Sequence, residues 1–174
     1  YQMTSMLIKA KVDFNALCDQ VLPGMQELMN DHAGRHKLSD FVLRYHHTTH
    51  ILEMGETRFR KDYCKWAEKK GYRNCERMAV LIFATAQNGI PVLPNAPSTQ
   101  IVITEAIRVL HTVEASRDAI LTQMQALAKT LLEYSLVREM PCIGDTLAPR
   151  LIAEIGDVRR FHSKRALIAY AGID

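Results

Sequence analysis

The chain has 174 residues, 48% of them hydrophobic and 24% charged, with a formal net charge of +3. That is an ordinary balance for one globular domain, or one and a fraction. No apolar run exceeds a few residues, which excludes a bilayer span, and the charge is too mild to argue for nucleic acid by itself.

Tyr1 leads into a mixed amphipathic stretch without a basic-then-apolar leader, so no signal peptide is expected. The missing initiator methionine reads as a piece of a longer or processed chain. Met3, Leu7, Ala10, Phe14, Leu17 and Val21 recur by four and three. They predict a first helix over residues 1–22, about 30 Å long. Pro23, Gly24, Gly34, Gly55, Gly71, Gly89, Pro91, Pro94 and Pro97 then punctuate residues 23–97, a compact helical insert. Cys18, Cys64, Cys75 and Cys142 include no CxxC pair. They are expected as reduced thiols of a cytosolic protein, without a zinc knuckle.

Within the insert, RYHHTTH (Arg44 to His50) places His46 and His50 four apart. The spacing is superficially that of the HExxH zinc helix, but His47 stands where the general-base glutamate belongs and nothing nearby completes a ligand set. These histidines are expected at helix ends or an interface, and no metal ligand is assigned. In RFRKDYCKWAEKKGYR, Lys61, Lys65 and Lys69 share one helix face and Phe59, Tyr63 and Trp66 the other. The aromatic stripe is expected in a core. The lysine face suits either solvent or a phosphate backbone. VLIFATA, the best strand candidate, follows a helical pattern and is expected as a buried helix.

Ile103, Ala106, Leu110, Val113, Arg117, Ile120, Met124, Leu127 and Leu131 keep heptad spacing. They predict a helix from Thr99 to Glu133, about 50 Å long, capped by Ser98 or Thr99 after Pro97. An unbroken stripe of this kind is a coiled-coil seam over residues 98–134, with Leu7, Phe14 and Leu17 as the facing set. The plainer reading is an amphipathic helix on a globular core. The two helices would pair antiparallel within one chain or across a homodimer.

Residues 135–174 read as a helical corner. Pro141 stops a helix, Gly144 permits a turn, and Leu147, Leu151, Ile152 and Ile155 form the stripe of a helix ended by Gly156. RRFHSKR adds Arg159, Arg160, Lys164 and Arg165, with Ser163 placed to cap a last helix. This is either a helix-hairpin-helix phosphate clamp or a corner that only packs. The expected fold is therefore all-α: a long helical hairpin or coiled coil, a small helical insert and a helix-hairpin-helix-like corner.

EMPCIGDTLAPRLIAEIGDVRRFHSKRALIAYAGID closely resembles the start of the C-terminal domain in transposases of the insertion-sequence 110 family, recombinases with a DEDD-type catalytic domain. Pro141, Gly144, Ala153-Glu154-Ile155-Gly156-Asp157, Phe161, Ser163 and Ala169-Tyr170-Ala171-Gly172 carry the resemblance. It implies a bacterial cytoplasmic machine that cuts and rejoins DNA at mobile-element ends and is guided by a structured RNA. It also implies an acidic, magnesium-binding domain before Tyr1 and a nucleophilic serine after Asp174. Neither catalytic set falls on this sequence, so no catalytic residue and no cofactor are assigned to it. DNA, a guide RNA and a second copy of the chain are the implied partners. The contacts expected are Gly144 and Thr146 at the turn, Arg159, Arg160, Lys164 and Arg165 in the tail, and Lys61, Lys65 and Lys69. Two departures stand out. Cys142 replaces the first glycine of the turn, and Asp145 places a carboxylate beside the turn amides. The competing expectation is a non-enzymatic helical adaptor or scaffold.

Overall fold

A computed structural model describes residues 2–29, 36–73 and 75–172. Among these residues the chain is all-α, without a strand. Its helices are α1 (Gln2–Val21), α2 (Met25–Met29), α3 (Lys37–Tyr45), α4 (Thr48–Met54), α5 (Glu56–Lys70), α6 (Cys75–Asn88), α7 (Pro97–Ala128), α8 (Glu133–Arg138), α9 (Leu147–Ile155) and α10 (Lys164–Tyr170). They form two compact units, Tyr1–Ala115 and Ser116–Asp174.

In the first unit, α1 turns Leu7, Phe14, Cys18 and Val21 inward, and α6 turns Ala79, Ile82, Phe83 and Ala86. The VLIFATA stretch is helical but buried on one face only: Ile82, Phe83 and Ala86 point inward, while Val80 and Leu81 are exposed. Phe59, Tyr63 and Trp66 of α5 meet Phe41 and Tyr45 of α3 in one aromatic cluster, with ring centroids 4.8 to 6.3 Å apart. Such pairs contribute about 0.5–1.5 kcal/mol each beyond the area they remove from water.

The first part of α7 joins the same core through Ile103, Ile107 and Leu110. The spacing four then three follows the 3.6-residue turn, and Ala106, the heptad position, is only half-buried. Over these residues the apolar face of the long helix, like Leu7 and Phe14 of α1, is covered within its own unit. Segment 23–97 shares this core with both long helices.

Local chemistry sets the breaks. His46 ends α3 at φ +52°, a conformation few side chains adopt. His47 caps α4: its Nδ1 accepts from the Thr49 amide at 3.1 Å. Its Nε2–H is therefore the donor to the Leu93 carbonyl at 2.9 Å. That contact ties α4 to the connection after α6, where the Val92 and Leu93 amides bond the Gln20 carbonyl at the end of α1. Gly71 closes α5 in the left-handed conformation, with the Gly71 and Tyr72 amides returning to Glu68 and Ala67.

The boundaries of the long helix differ from those expected. It starts with Pro97 itself as first helical residue, because proline lacks only an N–H that no helix start uses. It ends at Ala128, before the expected Glu133. There the Thr130 hydroxyl donates to the Leu127 carbonyl at 2.7 Å, and the amides of Thr130 and Leu131 reach back only three residues. A side chain that takes a helix carbonyl tightens the last turn and stops propagation.

In the second unit α8 packs on α9, and among the described residues Ala128, Ala148 and Pro149 are the buried ones. Gly156 ends α9 at φ +64° and the Gly156 amide bonds the Ile152 carbonyl at 2.8 Å. Ser163 caps α10 by accepting from the Ala166 amide at 3.2 Å.

Candidate nucleic-acid interface

Helix α5 separates its chemistries by face. Phe59, Tyr63 and Trp66 are buried, while Lys61, Lys65 and Lys69 are exposed. Asp62, Glu56, Glu76 and Asp40 have other partners. Asp62 is held in a bidentate pair by Arg44, at 2.8 and 2.9 Å from Nη2, and accepts from the Tyr45 hydroxyl at 2.9 Å. Glu56 and Glu76 face Arg60, and Asp40 takes Lys70 at 2.9 Å. Burial would push the Asp62 carboxyl up, but the hydrogen bonds from Arg44 and Tyr45 outweigh it and hold it below the usual carboxylate range. Among the described residues, no carboxylate pairs with Lys61, Lys65 or Lys69. Successive lysines rise about 6 Å along the helix, close to the spacing of phosphates along a strand.

The second cluster lies in the C-terminal unit. Arg138 ties the turn before α9 together: its Nε lies 2.9 Å from Asp145, and it also bonds the Ile143 carbonyl. Tyr134 donates to the same Asp145 carboxylate at 3.1 Å. The Asp145 charge, which would repel a phosphate at the turn amides, is thus partly neutralised inside the turn. Gly144 and Thr146 are exposed, and a Cβ on Gly144 would meet nothing within 4 Å. The left-handed residue of the turn is Cys142, at φ +67°, rather than Gly144. The glycine-demanding conformation falls on the position where the resemblance expects glycine and this chain has cysteine. Among the described residues, the amides of Gly144, Asp145 and Thr146 donate no hydrogen bond.

Arg159, Arg160, Lys164 and Arg165 are all exposed. Asp157 accepts from the Arg159 amide at 2.9 Å and lies 3.8 Å from its guanidinium, leaving the Arg159 side chain 80% exposed. Arg160 behaves differently. Its guanidinium carbon sits 4.7 Å from the ring centres of both Phe161 and Tyr170. Sequence reasoning grouped Arg160 with the other cations. Phe161 lies inside the basic run and Tyr170 five residues beyond it.

The tail cations and the α5 lysines belong to different units. The expected seam divides in the same way. Leu7, Phe14, Ile103 and Leu110 are buried, and Leu17 and Val113 pack against that core. Ile120 and Leu127 are 42% and 69% exposed, and Met124 is half-buried. The histidines of RYHHTTH are helix caps and their neighbours, with His46 Nε2 2.8 Å from the side-chain Nε2 of Gln100. Among the described residues no group of three or more His, Cys, Asp or Glu could hold a metal ion. No helix among them is long and apolar enough to cross a membrane.

Residues 134–174 match the family model described as Transposase IS116/IS110/IS902 family. The resemblance carried by Pro141 to Gly172 therefore holds over this C-terminal segment, and a transposase-type segment occupies a minority of the chain. No curated protein and no solved structure matches.

Proposed function

We propose that this chain is a non-catalytic part of a DNA transposase that binds nucleic acid and pairs with a second copy of itself while other segments cut and rejoin strands. The observation that carries the reading is the tail: a transposase-family segment whose Arg159, Lys164 and Arg165 are exposed after α9, and whose turn amides before α9 donate to nothing among the described residues. Those amides precede the N-terminus of α9, where helix and turn dipoles favour an anion. Asp145, engaged by Arg138, no longer opposes it strongly. The α5 lysines supply a second phosphate-binding row. Pairing falls to the apolar positions that remain exposed from Ile120 to Leu127. On this reading the divalent metal and the nucleophilic serine belong to segments outside this sequence, as does any guide RNA contact beyond the phosphates.

Duplex binding measured against salt concentration tests the proposal. Counterion release predicts affinity falling linearly on a logarithmic salt scale, with the slope reduced by about one for each phosphate contact removed. Charge reversal at Arg159 and Lys164 should weaken binding and flatten that slope without altering oligomer mass. A chain that binds neither duplex nor single strands at low salt overturns the reading. The exposure of Leu127 (69%), Leu132 (87%) and Leu136 (65%) favours the second reading, a helical adaptor that recruits another protein. Sedimentation with and without DNA separates the two.

A further inference from the structure

Arg160, Phe161 and Tyr170 form a unit of their own within the tail. The two rings are 5.2 Å apart and tilted by 55°, and the Arg160 guanidinium lies over both. The Tyr170 hydroxyl donates to the Glu154 carbonyl at 3.2 Å, which anchors the ring to the end of α9. The Phe161 amide bonds the Val158 carbonyl at 3.2 Å, and the Ser163 cap sets the start of α10. The ring orientations are thus set by the chain's own contacts. Yet Tyr170 is 50% exposed, and no carboxylate among the described residues pairs with Arg160. A planar set held in place and left open to solvent is preorganised for another planar group.

We infer that this set is a stacking platform for an unpaired nucleobase, with exposed Arg159, Lys164 and Arg165 taking the adjoining phosphates. The inference rests on the nucleic-acid reading above and narrows it to single-stranded nucleic acid at the tail. A base inside a duplex shows its edge in the groove and hides its face in the stack, so an aromatic platform has nothing to bind there. An unpaired base offers its π-face, and tyrosine rings and arginine planes are the surfaces on which such bases stack. Arg160 is then a positioning residue. Its charge sits over the rings, which stiffens the platform and leaves backbone neutralisation to the three neighbouring cations.

Fluorescence anisotropy on the full chain tests the platform with three probes of one mixed sequence: single-stranded DNA, single-stranded RNA and duplex DNA, each of about 12 units. Tyr170→Leu keeps apolar bulk but removes the π-face, and should weaken single-strand binding about ten-fold while leaving the duplex unchanged. Tyr170→Phe keeps the face, loses only the hydroxyl bond, and should stay within about two-fold of the parent chain. Whichever single strand binds more tightly identifies the source of the base. Single-strand affinity untouched by Tyr170→Leu overturns the platform, as does an equal loss for duplex and single strands. Either result, with duplex binding by the parent chain intact, leaves the broader nucleic-acid reading standing. Absence of binding to all three probes removes both.

Discussion

Lys11 Nζ lies 3.5 Å from the carboxylate of Glu114, joining α1 to α7 inside the first unit. Glu114 is 6% exposed, and its other oxygen lies 3.6 Å from His36 Nδ1. A carboxylate so far from water depends on the Lys11 ammonium beside it. Lys11 is half exposed, so solvent screens part of the attraction. Lys11→Met should lower unfolding stability by about 1 kcal/mol, read from the urea midpoint. The double variant Lys11→Met with Glu114→Gln should lose less than the two single losses added together.

Next to this pair, His111 Nε2 lies 3.0 Å from the Ser39 hydroxyl, which gives its own proton to the His36 carbonyl. The imidazole is thus the donor, through Nε2–H. Burial, helped by His36, lowers the His111 pKa against the opposing pull of Glu114 and Asp40. Burial and then His50 lower that of His46. A depressed histidine stabilises the fold above its ordinary value of 6.5, where both states are neutral, and that contribution is lost as pH falls through the folded value. Stability should therefore decline as pH is taken from about 7.5 to about 5.5, and His111→Gln should flatten part of the decline in urea titrations across that window. Asp62, also depressed, acts lower down. Its contribution is present above 3.8 and lost as pH falls through its folded value, so the two effects separate along one pH series.

Cys142 occupies a left-handed conformation with an exposed side chain. A Cβ there costs roughly 1 kcal/mol that glycine avoids, offset in part by glycine's greater freedom when unfolded. Cys142→Gly should slow proteolysis in the 139–146 turn and raise stability by about 0.5–1 kcal/mol, whereas Cys142→Ala should do neither. Equal behaviour of the two variants would show that the backbone there carries no such cost.

Leu110 and Leu127 share heptad spacing but differ in burial, 6% against 69% exposed. Leu110→Asp puts a charge into the core of the first unit and should cost several kcal/mol, enough to unfold it in calorimetry. Leu127→Asp should shift stability by no more than about 0.5 kcal/mol. If the exposed stripe pairs copies of the chain, as proposed, that same variant lowers the sedimenting mass.

Much of the secondary structure was legible because its causes are local. Phe59, Tyr63 and Trp66 repeat with the turn of a helix, so one face of α5 had to be apolar whatever lay against it. Ser163 caps α10 and Gly156 ends α9 through bonds reaching three or four residues, which a short stretch of sequence contains. The end of α7 was less legible, since the hydroxyl of Thr130 competes with helix propensities that differ little from residue to residue.

Tertiary structure alone decided which partner each face met. Heptad spacing cannot tell a seam between molecules from the inner wall of a globular unit, because both reward the same apolar stripe. Burial in the core of the first unit placed Ile103 and Leu110 in the second class. Arg160 over Tyr170, and Asp145 beside Arg138, likewise depend on where turns bring separated residues together. Charge and periodicity belong to the sequence, but the neighbour that neutralises a charge or covers a face is a matter of distance, which only the folded chain defines.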